Sequence, residues 1–269
     1  MILNVKNISS GYTKKLSLRD VSFNFETGSV LCVIGHNGSG KSTLFKTILG
    51  IVKKENGEVY IDNENIENWN DKKRAKYFSY VPQNHNAVFG YSVIDVVVMG
   101  CVRNIGLISS PSKKDFEKAR NALKRVGISY LEKRRYTELS GGEKKLVLIA
   151  RALCQEAKFM IMDEPTSDLD FVKSQLIYDV IRSLSNEGYG IILSTHAPDY
   201  PFLDNDKLLL LKKGKTVAFG NATEVLNSDN LQKAYDTPME ILEVTDSKGQ
   251  KRRMFVVLKD NDIWNFMKL

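Results

Sequence analysis

The residues most suited to chemistry lie at 35–43, where the sequence reads GHNGSGKST after the apolar run 30–34. An apolar run of this length predicts a buried parallel strand, and a strand, a glycine turn and a helix in that order form the setting of a phosphate-binding loop. The glycines let backbone N–H groups approach phosphate oxygens, and the start of the helix presents further donors. A glycine-rich turn with an incidental lysine is the alternative that this setting disfavours. The predicted phosphate-binding positions are Gly35, Asn37, Gly38, Ser39, Gly40, Lys41, Ser42 and Thr43.

Three of these side chains have distinct predicted roles. Lys41 is expected to hold the β and γ phosphates of a nucleotide. Ser42 offers a hydroxyl to Mg²⁺, and Thr43 adds a second hydroxyl near the phosphates.

A pair of acids, Asp163 and Glu164, follows the short apolar run 159–162 and precedes a proline. Such a run fits a central strand, so the pair would lie at the carboxyl edge of the sheet, where ligands bind. Successive strand residues point in opposite directions, so the two carboxylates need not share a role. We expect Asp163 to hold Mg²⁺, directly or through water, and Glu164 to orient and deprotonate an attacking water. Adjacent acids are elsewhere usually just solvated.

A third motif, Leu139 followed by Ser140, Gly141, Gly142 and Glu143, lies between these two. It opens a predicted helix whose apolar side chains fall on one face. They are Leu146, Ile149, Ala150 and Leu153. The start of this helix is a second candidate anion site.

Taken together, these motifs resemble those of the ATP-binding subunit of ABC transporters, over roughly residues 1–240. The resemblance implies that Tyr12 stacks on adenine, that Gln83 senses Mg²⁺ and the attacking water, and that His196 contacts the γ phosphate. It also implies a Mg²⁺ site formed by Ser42, Gln83 and Asp163. Without the surrounding motifs, a lone histidine after a strand is more often structural, and Tyr12 would be an ordinary edge aromatic.

In this family the third motif acts on the nucleotide of another subunit. The resemblance therefore implies a homodimer in which two chains sandwich two ATP molecules. Its trans contacts would come from Ser140, Gly141, Gly142, Glu143 and Asp168. Glu143 stands where glutamine is usual, and His36 occupies a variable position of the phosphate loop, from which no role is inferred.

The segment 89–100 resembles one importer branch of the family, which takes up iron complexes and similar cargo: ferric siderophores, haem or cobalamin, with close relatives for molybdate and tungstate. Cys101 departs from the arginine common at that point. This branch implies integral membrane permease subunits, a groove that receives a permease helix and, indirectly, a substrate-binding protein. The alternatives are an exporter subunit or an ABC ATPase acting on nucleic acid. A GTPase is disfavoured because the chain has no N-K-x-D motif.

Composition agrees with a globular protein. The chain has 269 residues, 42% apolar and 26% charged, with a net charge of +7. No stretch reaches the roughly 18 apolar residues of a membrane span, and the N-terminus lacks the pattern of a signal peptide. We therefore expect a peripheral protein at the cytoplasmic face of the membrane. The basic residues are dispersed, so no nucleic-acid partner is expected. Cys32, Cys101 and Cys154 are widely spaced, which predicts no disulfide and no metal site.

The strands and helices that must position these motifs predict an α/β fold. Its core would be a P-loop ABC ATPase core with a mixed, largely parallel sheet and an antiparallel β layer. A helical subdomain and a C-terminal β hairpin would complete the fold. Strands near 2–8, 18–25, 57–61 and 77–81 would form the antiparallel layer. Further strands are predicted near 159, 190 and 207, with a helix between them. One face of this helix would carry Val172, Leu176, Val180 and Leu184.

The predicted domain organisation is an ATPase domain at 1–238, with the helical subdomain at about 84–156 inserted, and an extension at 239–269. Ser112 and Asp115 form a capping-box pair for one helix of that subdomain. In the extension, residues 241–244 and 254–258 would pair as a hairpin. An apolar tail follows, with Ile263, Trp264, Phe266 and Met267.

Overall fold

The computed structural model describes residues 1–12, 16–83, 90–104, 110–196, 202, 205–245 and 251–258. Its strands are β1 (Ile2–Ser10), β2 (Leu18–Glu26), β3 (Val30–Ile34), β4 (Lys54–Ile61), β5 (Glu64–Asn65), β6 (Phe78–Val81), β7 (Phe159–Met162), β8 (Gly190–Thr195), β9 (Lys207–Lys212), β10 (Lys215–Asn221), β11 (Met239–Thr245) and β12 (Lys251–Val257). Its α-helices are α1 (Lys41–Ile48), α2 (Asp71–Tyr77), α3 (Val93–Val98), α4 (Lys113–Arg125), α5 (Gly141–Cys154), α6 (Phe171–Asn186), α7 (Ala222–Val225) and α8 (Ser228–Tyr235). Short 3-10 helices cover Met99–Asn104, Ser129–Leu131 and Tyr136–Glu138.

The main sheet has the order β10-β9-β3-β8-β7-β6. Its strands run parallel from β9 to β6, and β10 is antiparallel to β9 at the edge. An antiparallel sheet, β2-β1-β4-β5, forms the other layer. This arrangement confirms the predicted α/β class with a largely parallel sheet and an antiparallel layer.

One strand lies in a different sheet from the predicted one. The strand expected near 77–81 is β6, which pairs in parallel with β7, with Phe78 opposite Phe159, and is not part of the antiparallel layer. The prediction was wrong because a short apolar strand does not encode its partner, which only long-range pairing decides.

The main sheet is buried on both faces because alternate residues of its strands enter two separate cores. On β3, Leu31 and Val33 pack with the antiparallel layer and helix α1. Their neighbours Val30, Cys32 and Ile34 pack on the opposite side, against the helices α5 and α6. The phosphate loop and the acidic pair therefore both begin at the ends of rigid, fully buried strands.

The described residues between Val93 and Cys154 are mostly helical. Helix α4 begins with the predicted capping box: the Ser112 side chain accepts from the backbone N–H of Asp115, whose carboxylate accepts from the N–H of Ser112. The apolar face predicted for α5 is buried throughout. Gly100 lets the Met99–Asn104 turn approach α5 closely, since a Cβ at Gly100 would lie 2.0 Å from the carbonyl oxygen of Arg151.

The apolar face predicted for α6 is only partly buried. Val172 and Leu176 are 75% and 51% exposed, whereas Ile177, Ile181 and Leu184 are buried. At about 100° per residue, the buried stripe lies roughly a quarter to a third of a turn away from the predicted one. Both stripes are apolar in sequence, and contact with the main sheet selects one of them.

The prediction that the chain has no disulfide is also wrong. The structure pairs Cys101, which follows α3, with Cys154 at the end of α5, with Cα atoms 5.7 Å apart. That separation is ordinary for a disulfide. Cys32 is buried and lies outside this disulfide. Sequence spacing could not reveal the pair, because its members are 53 residues apart and meet only when the helices pack.

The C-terminal hairpin forms as predicted. Strands β11 and β12 pair in antiparallel register, with Ile241 opposite Phe255, and both of these side chains pack against the larger core. The turn at 246–250 and the apolar tail at 259–269 lie outside the described residues.

Candidate nucleotide site

The phosphate loop at 35–40 connects β3 to α1, and its glycines are required by close contacts. A Cβ on Gly35 would lie 2.3 Å from the carbonyl oxygen of Leu211. Gly40 has a φ of 107°, a left-handed conformation that disfavours side chains, and its Cβ would also collide with Leu18. Gly38 has a φ of 78°. The loop therefore takes a conformation that places backbone donors and the start of α1 around one cavity.

That cavity, which we call the phosphate cavity, has a volume of about 380 Å³. Among the described residues its lining consists of Ser17, Asn37, Gly38, Ser39, Gly40, Lys41, Ser42, Thr43, Gln83 and Glu164. The ammonium of Lys41 donates to the carbonyl oxygens of Gly35 (2.7 Å) and His36 (3.3 Å). Ser17 was not predicted, and no motif in the sequence marks it.

Asp163 is buried at the end of β7 and is held by two hydroxyls. Ser194 Oγ donates to Asp163 Oδ1 at 2.6 Å, and the hydroxyl of Tyr80 approaches Oδ2 at 3.4 Å. Burial raises the pKa of Tyr80, and the neighbouring Asp163 charge adds to that shift. Ser194 also accepts from the backbone N–H of Glu164 at 2.9 Å, so one buried hydroxyl fixes both acids. The sequence analysis did not single out Ser194.

Glu164 is the point where the predicted catalytic residues meet. Its Oε1 lies 3.4 Å from Lys41 Nζ, and its Oε2 accepts from Gln83 Nε2 at 2.9 Å. His196 Nδ1 is 3.6 Å from the same Oε2, although the His196 side chain is 58% exposed. Glu164 has a φ of 45°, an uncommon backbone conformation for a residue other than glycine. Such conformations concentrate at functional sites.

Lys145 on helix α5 joins this group and was not predicted. It is only 9% exposed, and its ammonium donates to the carbonyl oxygen of Gln83 and lies 3.4 Å from that of Glu164. Burial lowers the pKa of Lys145, and the nearby charges of Asp168, Asp163 and Glu164 oppose that shift. Lys145 thus connects the helix that carries the third motif to the loop after β6 and the end of β7. No pattern in the sequence distinguishes Lys145 from the solvated lysines of the chain.

The third motif forms the start of α5 and lies outside the phosphate cavity of its own chain. Ser140 is exposed and caps the helix: its hydroxyl accepts from the Glu143 N–H (3.4 Å), and Glu143 Oε2 accepts from the Ser140 N–H (2.8 Å). Hydrogen bonding of the Glu143 carboxylate to the N–H and then the hydroxyl of Ser140 holds the pKa of Glu143 below its usual value. These hydrogen bonds also explain why glutamate can stand at this position, since the capping box accepts either glutamate or glutamine.

The remaining predicted residues lie around these groups. Asp168 is exposed, with a φ of 62°, and Leu169 next to it approaches the Cα of Gly141. Tyr12 is exposed, with Lys46 Nζ 5.7 Å from its ring centre. Within the described residues, neither Tyr12 nor Asp168 lines the phosphate cavity. The structure therefore brings together the phosphate loop, Gln83, Glu164 and His196, and leaves Tyr12, Asp168 and 140–143 outside.

The site fits a nucleoside triphosphate and a magnesium ion. Ser39 Oγ is buried without a partner among the described atoms and would gain one from a phosphate oxygen. Lys41 is the buried cation that such phosphates need. Mg²⁺ in ATPases takes one or two protein oxygens plus phosphates and water, and Ser42 and Asp163 are suited to supply them. The described residues hold no group of three or more His, Cys, Asp or Glu side chains that could bind a metal ion.

A phosphate loop between β3 and α1, with an acidic pair at the end of β7 in the same parallel sheet, defines a P-loop ATPase. The family described as ABC transporter matches residues 18–167. The chain belongs to that family, and it is an ABC-type ATPase.

Individual relatives are similar over nearly their whole lengths. A Helicobacter pylori protein described as an iron chelatin transport ATP-binding protein is 33% identical over 90% of this chain and 96% of its own. The Bacillus subtilis manganese transport system ATP-binding protein MntB is 36% identical over 90% and 95%. A solved metal-chelate type ABC transporter in an inward-facing conformation aligns over 96% of this chain and 98% of its own, with a TM-score of 0.85 and 31% identity.

Within the described part of the chain, no helix combines the length and hydropathy that crossing a membrane requires.

Proposed function

We propose that this chain is the ATP-hydrolysing subunit of an importer, and that it works as a homodimer with separate permease subunits at the cytoplasmic face of the membrane. The observation that carries the proposal is the junction at Glu164, where the phosphate loop, Gln83 and His196 meet beside a cavity that the motif at 140–143 does not line. One chain therefore contains the phosphate-loop half of an ABC site at Glu164. Its motif at 140–143, which is the other half, lies away from that cavity.

In this proposal each residue at the junction has one task. Glu164 is the general base for the attacking water, Gln83 and His196 position that water and the γ phosphate, and Lys41 binds the β and γ phosphates. Mg²⁺ would supply charge neutralisation at the phosphates, held by Ser42 and Asp163 with help from Gln83. Tyr12 would stack on the adenine at the open side of the site.

The exposed motif needs a second copy of the chain. Ser140 and Gly141 are exposed at the start of α5, ahead of the buried Gly142 and the half-buried Glu143, and Asp168 is exposed on the loop that adjoins them. A phosphate held by another chain would accept hydrogen bonds from the backbone N–H groups at this helix start. Binding of ATP would thus close the dimer, and hydrolysis would reopen it.

A separate cavity of about 630 Å³ offers a place for the permease. It lies where α2 and β6 of the core meet the Met99–Asn104 turn and α5. Ile51 and Met99 are exposed at its rim, and Arg74 and Arg151 line it. An apolar and basic groove of this kind suits a short helix from a membrane protein. It also touches Tyr80, which contacts Asp163, so movement in the groove would reach the nucleotide site.

The cargo we propose is a metal complex such as a ferric siderophore, haem or cobalamin, or a related metal ion or oxyanion. The Helicobacter pylori relative and the metal-chelate type structure support a metal-containing cargo. The Bacillus subtilis relative, named for manganese, extends the class to metal ions. Cargo would reach the permease from a substrate-binding protein and would not touch this chain.

For the organisation of the chain we propose an ATPase domain at 1–238, a helical subdomain at about 84–156 inserted in it, and a C-terminal extension at 239–269. The helices from Val93 to Cys154 and the separate β11–β12 sheet support these boundaries.

Two variants test the ATPase proposal. Glu164→Gln should bind ATP, fail to turn it over and accumulate as a dimer in size-exclusion chromatography with MgATP. Glu55→Gln, which changes an exposed carboxylate on β4, is the matched control and should behave like the parent. Ser140→Arg should bind ATP and neither dimerise nor hydrolyse. Normal hydrolysis by Ser140→Arg would refute the trans arrangement.

The permease proposal is tested by purifying tagged Glu164→Gln with ATP from detergent-solubilised native membranes. Mass spectrometry should identify a stoichiometric polytopic permease. Ile51→Asp in the same background should lose the permease and keep ATP binding. Recovery of ribosomes or nucleic acid in place of a permease would refute the importer function while leaving the ATPase assignment intact.

A further inference from the structure

Helix α8 ends beside the nucleotide site and is firmly anchored there. Leu231 and Ala234 are buried in the larger core. Lys212, at the end of β9, donates to the carbonyl oxygen of Lys233 at 2.6 Å and forms an ion pair with Asp236. The last residue of the helix is Tyr235. Its position is therefore fixed by the main sheet and does not depend on a ligand.

Tyr235 contacts the two segments that flank the predicted γ-phosphate position. Its hydroxyl donates to the backbone carbonyl oxygen of His196 at 2.7 Å. Its own carbonyl oxygen lies 3.2 Å from Nε2 of His36 in the phosphate loop. The two rings meet edge to face, with centroids 4.6 Å apart at 63°. One side chain thus connects the phosphate loop to the segment after β8.

The phosphate loop depends less on its contact with Tyr235 than the segment after β8 does. The phosphate loop has other anchors, because Ser39 donates to the His36 carbonyl at 3.0 Å and Gly214 donates to the Ser39 carbonyl at 2.9 Å. The carbonyl oxygen of His196 lies at the end of β8, where strand pairing stops at Thr195. Loss of the Tyr235 hydroxyl should therefore release His196 and leave the phosphate loop in place.

We propose that Tyr235 is a positioning residue for hydrolysis. It fixes the backbone of His196, so that the imidazole stays beside Glu164 and the γ phosphate. This inference rests on the proposed role of His196, and Tyr235 itself does not touch the reacting atoms. It also gives α8, and the hairpin that follows it, a direct connection to the catalytic residues.

Tyr235→Phe is the test, because it removes the hydroxyl and keeps the ring against His36. The variant should hydrolyse MgATP about fivefold more slowly, with an unchanged KM for ATP, since one hydrogen bond is lost and the phosphate loop is intact. Tyr189→Phe is the matched control. It removes a hydroxyl that accepts from Arg125, at the opposite end of β8, and should have parental kinetics.

A second readout does not depend on turnover. The chain has three histidines, so each imidazole signal can be assigned by NMR with single substitutions. In the nucleotide-free protein, Tyr235→Phe should shift or broaden the His196 imidazole signals, and Tyr189→Phe should not. Unchanged His196 signals together with parental kcat would overturn the proposal.

A double-mutant comparison distinguishes the proposed role of His196 from the positioning role of Tyr235. If His196→Ala slows hydrolysis strongly, Tyr235→Phe should add nothing to it, because both changes act through one side chain. Additive losses would mean that Tyr235 acts elsewhere. Parental activity of His196→Ala would refute the proposed role of His196 itself, whereas a slow His196→Ala with a fast Tyr235→Phe would refute only the positioning role of Tyr235.

Discussion

Ser194→Ala is the substitution for which the structure gives the clearest magnitude. Ser194 Oγ donates to the Asp163 carboxylate at 2.6 Å and accepts from the Glu164 backbone N–H at 2.9 Å, all in a buried setting. Alanine removes both bonds without adding volume. Bonds to charged groups contribute about 1.5–3 kcal/mol and neutral bonds about 1 kcal/mol, so the free energy of unfolding should fall by about 2–4 kcal/mol.

The structure also offers a matched control. Ser185 is buried like Ser194, but among the described atoms its hydroxyl has no hydrogen-bond partner. Ser185→Ala removes an unsatisfied polar atom and should leave the free energy of unfolding unchanged within about 0.5 kcal/mol, or slightly higher.

Urea denaturation of the two variants measures the difference, and Mg²⁺-dependent hydrolysis measures its functional consequence. Ser194→Ala should also need more Mg²⁺ for half-maximal rate, because Asp163 loses the hydroxyl that orients it. Equal stability of the two variants would refute the reasoning, since it would mean that the hydrogen bonds to the acidic pair contribute nothing.

Three further predictions concern other parts of the molecule. Lys145→Met should lower kcat at least tenfold with little change in ATP affinity, measured by steady-state kinetics against binding, because a buried charged donor to the loop after β6 is lost; an unchanged kcat would contradict its positioning role. After mild oxidation, thiol labelling of denatured protein should find only Cys32, and reduction should expose Cys101 and Cys154 as well; three reactive thiols after oxidation would disprove the pairing. The pKa of Glu143 is lowered by its helix-capping bonds, so its contribution to stability is present above its ordinary pKa and lost as pH falls through the lowered value. Glu143→Gln should therefore flatten the acid limb of the stability profile in denaturation series, and an identical profile would contradict that linkage.

The sequence was sufficient wherever a function needs neighbouring residues along the chain. Gly35, Gly38 and Gly40 are spaced for a loop that only glycines can adopt, and their contacts and φ values agree with that requirement. The capping box at Ser112 is local as well. Local sterics and hydrogen bonds of this kind are encoded within a few residues, so pattern and position predict them correctly.

The sequence did not predict which apolar face of a helix is buried or which strands pair. Helix α6 has two candidate stripes, and in the one containing Val172 both Val172 and Leu176 are exposed. Strand β6 is short and apolar, and its partner β7 lies far along the chain. In both cases burial against another element selects the outcome, and periodicity alone carries no information about that element.

The amino-acid sequence by itself determined the chemistry of this protein: a loop for phosphates, an acidic pair after a strand and a helix start for a second anion. Tertiary structure alone decided which other residues hold them in place. Ser194 beneath the acids, Lys145 between helix and loop, and Tyr235 behind His196 act across 30, 62 and 39 residues of chain. Such contacts depend on the folded path of the backbone, because hydrogen bonds are short-ranged and a polar side chain read along the sequence gives no sign of its distant partner.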